Sequence, residues 1–296
     1  MRNLFEHTSA SWVRYSEYEW RSKGGLLYLM PSKDAKPTPY DPMKNPESLV
    51  LDAIDIGVMC LENTPKEEIQ EAIRSFAKNY GLLGIMTALP TTAHFVEYEK
   101  VYLPHNQCIR KEAMETDAYI DLFFPFDTPD FTKRKDRFWW NVNDDRIMIA
   151  LAMTYHDSPQ AQVMSFMRWY GERYDWLVTV FKDWAFTFTA TFLYYSGQDA
   201  LDEESADLYR KGMAAFEGNA PTYHLELREH PTLVWDFHSL LVNIKMLFTF
   251  MLTDDTHPLR LCKQCLHAFI APNAEDEFCS EDCRKRFQSM DERFKS

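Results

Sequence analysis

Near its C-terminus the chain carries two cysteine pairs, Cys262-Lys263-Gln264-Cys265 and, after thirteen intervening residues, Cys279-Ser280-Glu281-Asp282-Cys283. Thiolates are soft ligands, and four of them in this spacing suit one Zn²⁺ ion in a tetrahedral, all-sulfur shell. Two residues between cysteines make a turn that aims both sulfurs at one point. Three residues across the first turn of a helix do the same from the other side. Four protein ligands leave no coordination position for water or substrate, so one structural zinc ion on Cys262, Cys265, Cys279 and Cys283 is expected. So short a segment lacks the apolar mass to fold alone, and metal binding would supply most of its folding free energy.

The elements that must position these sulfurs lie nearby. Phe269, Ile270 and Phe278 are the candidate miniature core around the metal. Ser280 suits the N-cap of a final helix, with Glu281 and Asp282 in its first turn, where negative charge meets the positive end of the helix dipole. A cysteine turn, a short hairpin and a cysteine pair opening a helix form a treble-clef or zinc-ribbon order. On that helix, Arg284, Lys285 and Arg286 are candidate phosphate contacts. The competing reading is a solvated face balanced by Glu281 and Asp282, since successive helix positions point about 100° apart and cannot all face one groove. His267 is expected at the surface or behind the ligands rather than among them.

The stretches Leu261 to Ile270 and Phe278 to Arg286 resemble the C-terminal zinc finger of the CGNR type. In that family the finger follows a helical domain, sometimes called ABATE, and the larger chain resembles ABATE-like proteins of Firmicutes. The resemblance implies a transcription regulator whose helical domain senses a ligand or partner while the finger contacts DNA. Three positions depart from the family pattern. Arg284 and Lys285 stand where the family has glycine and asparagine after its last cysteine, and Leu266 stands for a glycine after the first pair; Arg286 keeps the fourth letter. Another protein is the alternative partner, with no nucleic-acid role.

The 296 residues are 46% hydrophobic and 15% aromatic, ample for a sizeable core, and only nine are glycine. That scarcity argues against a glycine-rich all-β or nucleotide-loop architecture. The expected fold is mainly α: a helical domain over 1–258 with a few short strands, and the zinc module over 259–296. From Leu259 onward seven basic and seven acidic residues cancel, so the whole net charge of -13 sits in the larger part. Phosphate binding there is disfavoured, because nucleic-acid affinity comes largely from Lys and Arg. Cys60 and Cys108 need no partner, and a four-thiol site implies a reducing compartment. The start has no apolar leader, and the longest apolar run, Trp184 to Tyr195, falls short of the about 20 residues that span a bilayer. A soluble, cytoplasmic chain without membrane contact is expected.

Helical signals begin at Pro46 and run to Leu61. A capping box at Thr64-Pro65-Lys66-Glu67 opens the next helix, which Gly81 stops, giving a helical hairpin. Further helices are expected over 112–124, 144–155, Pro159 to about Tyr195, Asp199 to Glu217, and Pro231 to Leu252. Strands are expected at Gly25 to Met30 and Tyr223 to Leu227, with a weaker one in Trp12 to Trp20; the proline-rich Pro37 to Pro42 reads as loop. No Gly-rich phosphate loop, His-Glu-x-x-His or Gly-x-Ser-x-Gly occurs. The nearest constellations, His224 and Glu226 with Glu229 and His230, Asp144-Asp145-Arg146, and His156-Asp157, are scattered as chance would leave them. No enzymatic activity is expected.

Overall fold

The computed structural model describes residues 8–62, 64–89, 98–103, 106–126, 167–196, 202–214, 222–227, 229–237, 239–254, 256–273 and 275–295. Five short strands open the described chain: β1 (Thr8–Ala10), β2 (Trp12–Tyr15), β3 (Tyr18–Lys23), β4 (Leu26–Pro31) and β5 (Pro37–Tyr40). Helices α1 (Pro46–Leu61), α2 (Lys66–Tyr80) and the single turn α3 (Ile85–Ala88) follow. Next come β6 (Lys100–Tyr102), β7 (Ala113–Glu115), α4 (Thr116–Asp121), β8 (Glu172–Arg173), α5 (Tyr174–Ser196) and α6 (Glu203–Ala214). The chain closes with β9 (Thr222–Leu227), β10 (Pro231–Asp236), α7 (Leu240–Leu252), β11 (Leu259–Leu261), β12 (Ala268–Ile270) and α8 (Glu281–Lys295).

The fold is therefore mixed α/β, which corrects the mainly α expectation. The described residues hold five small sheets, ordered β1-β10-β9, β2-β5, β3-β4-β8, β6-β7 and β11-β12. The strands expected at Gly25 to Met30 and Tyr223 to Leu227 form as β4 and β9, but strands of two to four residues lie below what hydrophobic periodicity resolves, and several strands find their partners far away in sequence. Thr8 pairs with Leu233 in parallel, and Tyr28 pairs with Arg173. The stretch from Pro231, read as the start of a long helix, is instead β10, and the helix begins only after Ser239, whose Oγ accepts from the Val242 N–H at 3.1 Å.

Residues 37–40 are a strand despite Pro37 and Pro39. Ser16 N–H donates to the Lys36 carbonyl, so alternation makes Thr38 and Tyr40 the hydrogen-bonding positions against Arg14 and Trp12. The two prolines then fall where no ladder donor is needed, as proline in a strand must. Of the helix expected from Pro159 to about Tyr195, residues 159–166 lie outside the described residues, residues 167–173 form a turn and β8, and α5 begins at Tyr174. Residues 112–124 likewise divide between β7 and α4. The expected helix over 144–155 lies outside the described residues, as do Asp144, Asp145, Arg146, His156 and Asp157.

The helical hairpin of α1 and α2 forms as expected, and Gly81, at φ 91°, ends α2. Thr64 makes no capping bond, however; Pro65 holds the N-cap position without a side-chain hydrogen bond. The main core lies between α1 and α5, with α7 against both α1 and α3. The crossing of α1 and α5 is close because Gly57 has no side chain: a Cβ there would stand 2.1 Å from the Phe181 carbonyl oxygen. Cys60 is buried on α1, where burial pushes its thiol up to about 11. It behaves as a small hydrophobe.

Candidate metal centre

The hairpin β11-β12 presents the first cysteine pair at its turn. Leu259 pairs with Ile270 and Leu261 with Ala268, and between them Cys262 N–H donates to the His267 carbonyl while Leu266 N–H donates to the Cys262 carbonyl, at 3.0 and 2.9 Å. The second pair opens α8. Ser280 caps it as the sequence suggests, its Oγ accepting from the Cys283 N–H at 3.2 Å. Lys263 N–H donates to the Glu277 carbonyl, and the Lys263 ammonium pairs with the Glu277 carboxylate at 2.5 Å, so the two halves are strapped together beside the cysteines.

These elements bring all four sulfurs within 4.8 Å of one another. Cys265 and Cys279 stand 3.7 Å apart, and Cys279 and Cys283 3.6 Å. A tetrahedron with Zn–S bonds of about 2.3 Å has edges of about 3.8 Å, so the donor set fits one ion of this size. A disulfide needs sulfurs at about 2.05 Å, and all six cysteines are free thiols. Cys262 is fully buried and Cys279 is exposed.

The thiols are electrostatically unequal. Burial works to raise Cys262, but N–H groups of Cys279, Cys265 and Gln264 point at its sulfur and together hold it at about 6. Although Cys279 as a residue is exposed, desolvation of its sulfur and the sulfurs beside it push its thiol up to about 12, and desolvation likewise raises Cys265. Of these three, the innermost sulfur carries negative charge most readily, and a bound cation would favour ionisation of Cys265 and Cys279.

Around the sulfurs, Phe269 and Ala271 are buried with Cys262, and Phe278 packs on them; the Phe278 ring meets Phe287 of α8 at 5.3 Å. Ile270, expected in this small core, packs instead on the main one, as do Leu259, Leu261 and Ala268. The hairpin is thereby seated on α1. His267 is not a member of the cluster: its Nδ1 lies 3.2 Å from Asp55 Oδ1 of α1, a polar strap between hairpin and helix. Burial lifts the Asp55 carboxyl above its ordinary value, and the His267 bond offsets part of that rise.

Arg284, Lys285 and Arg286 are all exposed on α8. Arg284 is engaged by carboxylates of its own segment, Glu281 at 3.5 Å and Asp276 at 3.8 Å.

Sequence reasoning missed a second polar centre. Glu172, expected on the surface of a long helix, is fully buried in β8. Its carboxylate accepts from the Leu83 and Ile85 N–H groups, both at 2.9 Å, and from the Tyr170 hydroxyl at 3.0 Å. The Met86 N–H donates to Tyr170, and the Tyr119 hydroxyl donates to the Met86 carbonyl. Burial raises Glu172 to about 6, against the N–H bonds that favour its charged form. The group pins the turn before α3 to β8. No local pattern around Gly171-Glu172-Arg173 marks it.

The chain matches no protein-family model, no curated protein and no solved structure. The CGNR resemblance therefore rests on the cysteine spacing and its flanking residues alone. No described helix is long and apolar enough to cross a membrane.

Proposed function

We propose that this chain is a zinc-binding protein whose Cys262, Cys265, Cys279 and Cys283 hold one structural Zn²⁺ in a treble-clef-like module, and that the module presents α8 for contact with another protein. The observation that carries the metal is the set of sulfur separations, which match the edges of a zinc–thiolate tetrahedron. With every ligand supplied by the chain, the ion has no open position, which supports a non-catalytic role. Thiols kept reduced for a metal fit a reducing compartment such as the cytoplasm. The charge pattern favours a protein partner. Arg284 is neutralised within the module, and the body that carries the module is acidic.

Metal analysis of the purified chain is expected to return one zinc per protein, and Cys279→Ser is expected to release it while the larger body stays folded. A chain that takes up no zinc on reconstitution contradicts the proposal.

A regulatory role on nucleic acid is the second reading, favoured by the exposed row Arg284, Lys285 and Arg286 on α8, with the larger domain sensing a ligand. Retention on DNA that falls about one log unit per phosphate contact for each tenfold rise in salt supports it; no retention at low salt removes it.

A further inference from the structure

Outside the metal module, one strand leaves three large apolar side chains in solvent. Tyr223, Leu225 and Leu227 of β9 are 64%, 67% and 90% exposed. They alternate, so they share one face of the sheet. Across β10 that face continues through Leu233 and Trp235, whose partners in the ladder are Leu225 and Tyr223; the Tyr223 and Trp235 rings stand 5.9 Å apart. The opposite face carries Val234, which is buried. Among the described residues β9 is also the edge of its sheet, with β10 on its inner side only. An apolar face on an exposed edge is the arrangement that monomeric proteins usually avoid, because the backbone groups of an edge strand invite another strand.

The sequence of β9 says which strand. We infer that β9 pairs antiparallel with β9 of a second copy of this chain, on a two-fold axis at Leu225. In that register Leu225 faces itself, Tyr223 faces Leu227, and position 224, a histidine, faces Glu226. The apolar faces of the two sheets run on without a break, and the only acidic position on the strand falls opposite a histidine position. Neighbouring registers are worse. A slip of one residue sets the apolar face of one strand beside the polar face of the other. A slip of two residues in one direction puts Glu226 against Glu226; in the other, it leaves Leu227 beyond the end of its partner strand. Antiparallel pairing of identical strands is self-complementary, as a closed dimer requires.

The full-length, zinc-loaded chain is expected to sediment as a dimer. Leu225→Lys places two ammonium groups at the axis and is expected to weaken the dimer at least about tenfold, with zinc content and circular dichroism unchanged. Leu225→Cys sits opposite itself and is expected to give a disulfide-linked dimer under mild oxidation, whereas Tyr223→Cys, opposite Leu227, is not; the same oxidation of the parent chain is the background. A parent chain that remains monomeric at high concentration overturns the inference, and so does a dimer indifferent to Leu225→Lys and not captured by Leu225→Cys. Both outcomes are independent of whether the cysteines bind zinc.

Discussion

Leu266 follows the first cysteine pair in the left-handed region, at φ 61°, and is the only described residue other than glycine with a positive φ. The conformation is imposed by the turn: Leu266 N–H must reach the Cys262 carbonyl while the His267 carbonyl receives the Cys262 N–H. For a residue with a Cβ this conformation costs about 1–2 kcal/mol, and for glycine it is free of strain. Replacing Leu266 also removes a side chain that is 61% exposed, so the strain must be separated from whatever that side chain packs against. Leu266→Ala and Leu266→Gly both delete the leucine side chain. They differ only in the strain and in glycine's looser unfolded chain, worth about 0.5–1 kcal/mol the other way. The glycine variant should therefore hold its metal more tightly than the alanine variant by about 0.7 kcal/mol, roughly threefold in apparent affinity. Competition against a chromophoric zinc chelator at fixed pH reads that ratio directly. Equal affinities, or tighter binding by the alanine variant, would refute both the strained turn and its coupling to the metal.

Gly57→Ala would place a methyl 2.1 Å from the Phe181 carbonyl oxygen and 2.6 Å from the Ala185 Cβ, forcing α1 and α5 apart. A loss of about 1–3 kcal/mol in urea unfolding is expected, and unchanged stability would show that the two helices do not cross there. Glu172 has a folded value of about 6, above its ordinary 4.5, so its contribution is fully present below pH 4.5 and fades as pH rises through 6. The change amounts to about 2 kcal/mol. Glu172→Gln should remove that slope; below pH 4.5 it should cost about 1–3 kcal/mol, because an amide N–H₂ then faces the Leu83 or Ile85 N–H, and the difference from the parent should narrow by about 2 kcal/mol as pH rises through 6. Unfolding curves of the two proteins that run parallel across this range would contradict the assignment.

What was legible in the sequence is what local chemistry dictates. The spacing of Cys262, Cys265, Cys279 and Cys283 needs only a turn and the first turn of a helix to converge, and the structure gathers the four sulfurs accordingly. The apolar stripes of α1 and α2 declare those helices, as does Gly81 their end. The same periodicity misleads at Pro231 to Asp236, because Val234, Phe237 and Leu241 repeat at helical spacing although the first of them lies in a strand. That strand exists because β9 and β1 flank it, and β1 is more than two hundred residues away in sequence. Likewise, nothing in Gly171-Glu172-Arg173 shows that the carboxylate meets the Leu83 and Ile85 N–H groups, nor does His267 reveal Asp55. Metal chelation and helix formation are short-range, so the sequence by itself determined the thiol cluster and the helical hairpin. Strand pairing, the burial of Glu172 and the seating of the hairpin on α1 depend on which distant surfaces meet, and the tertiary structure alone decided them.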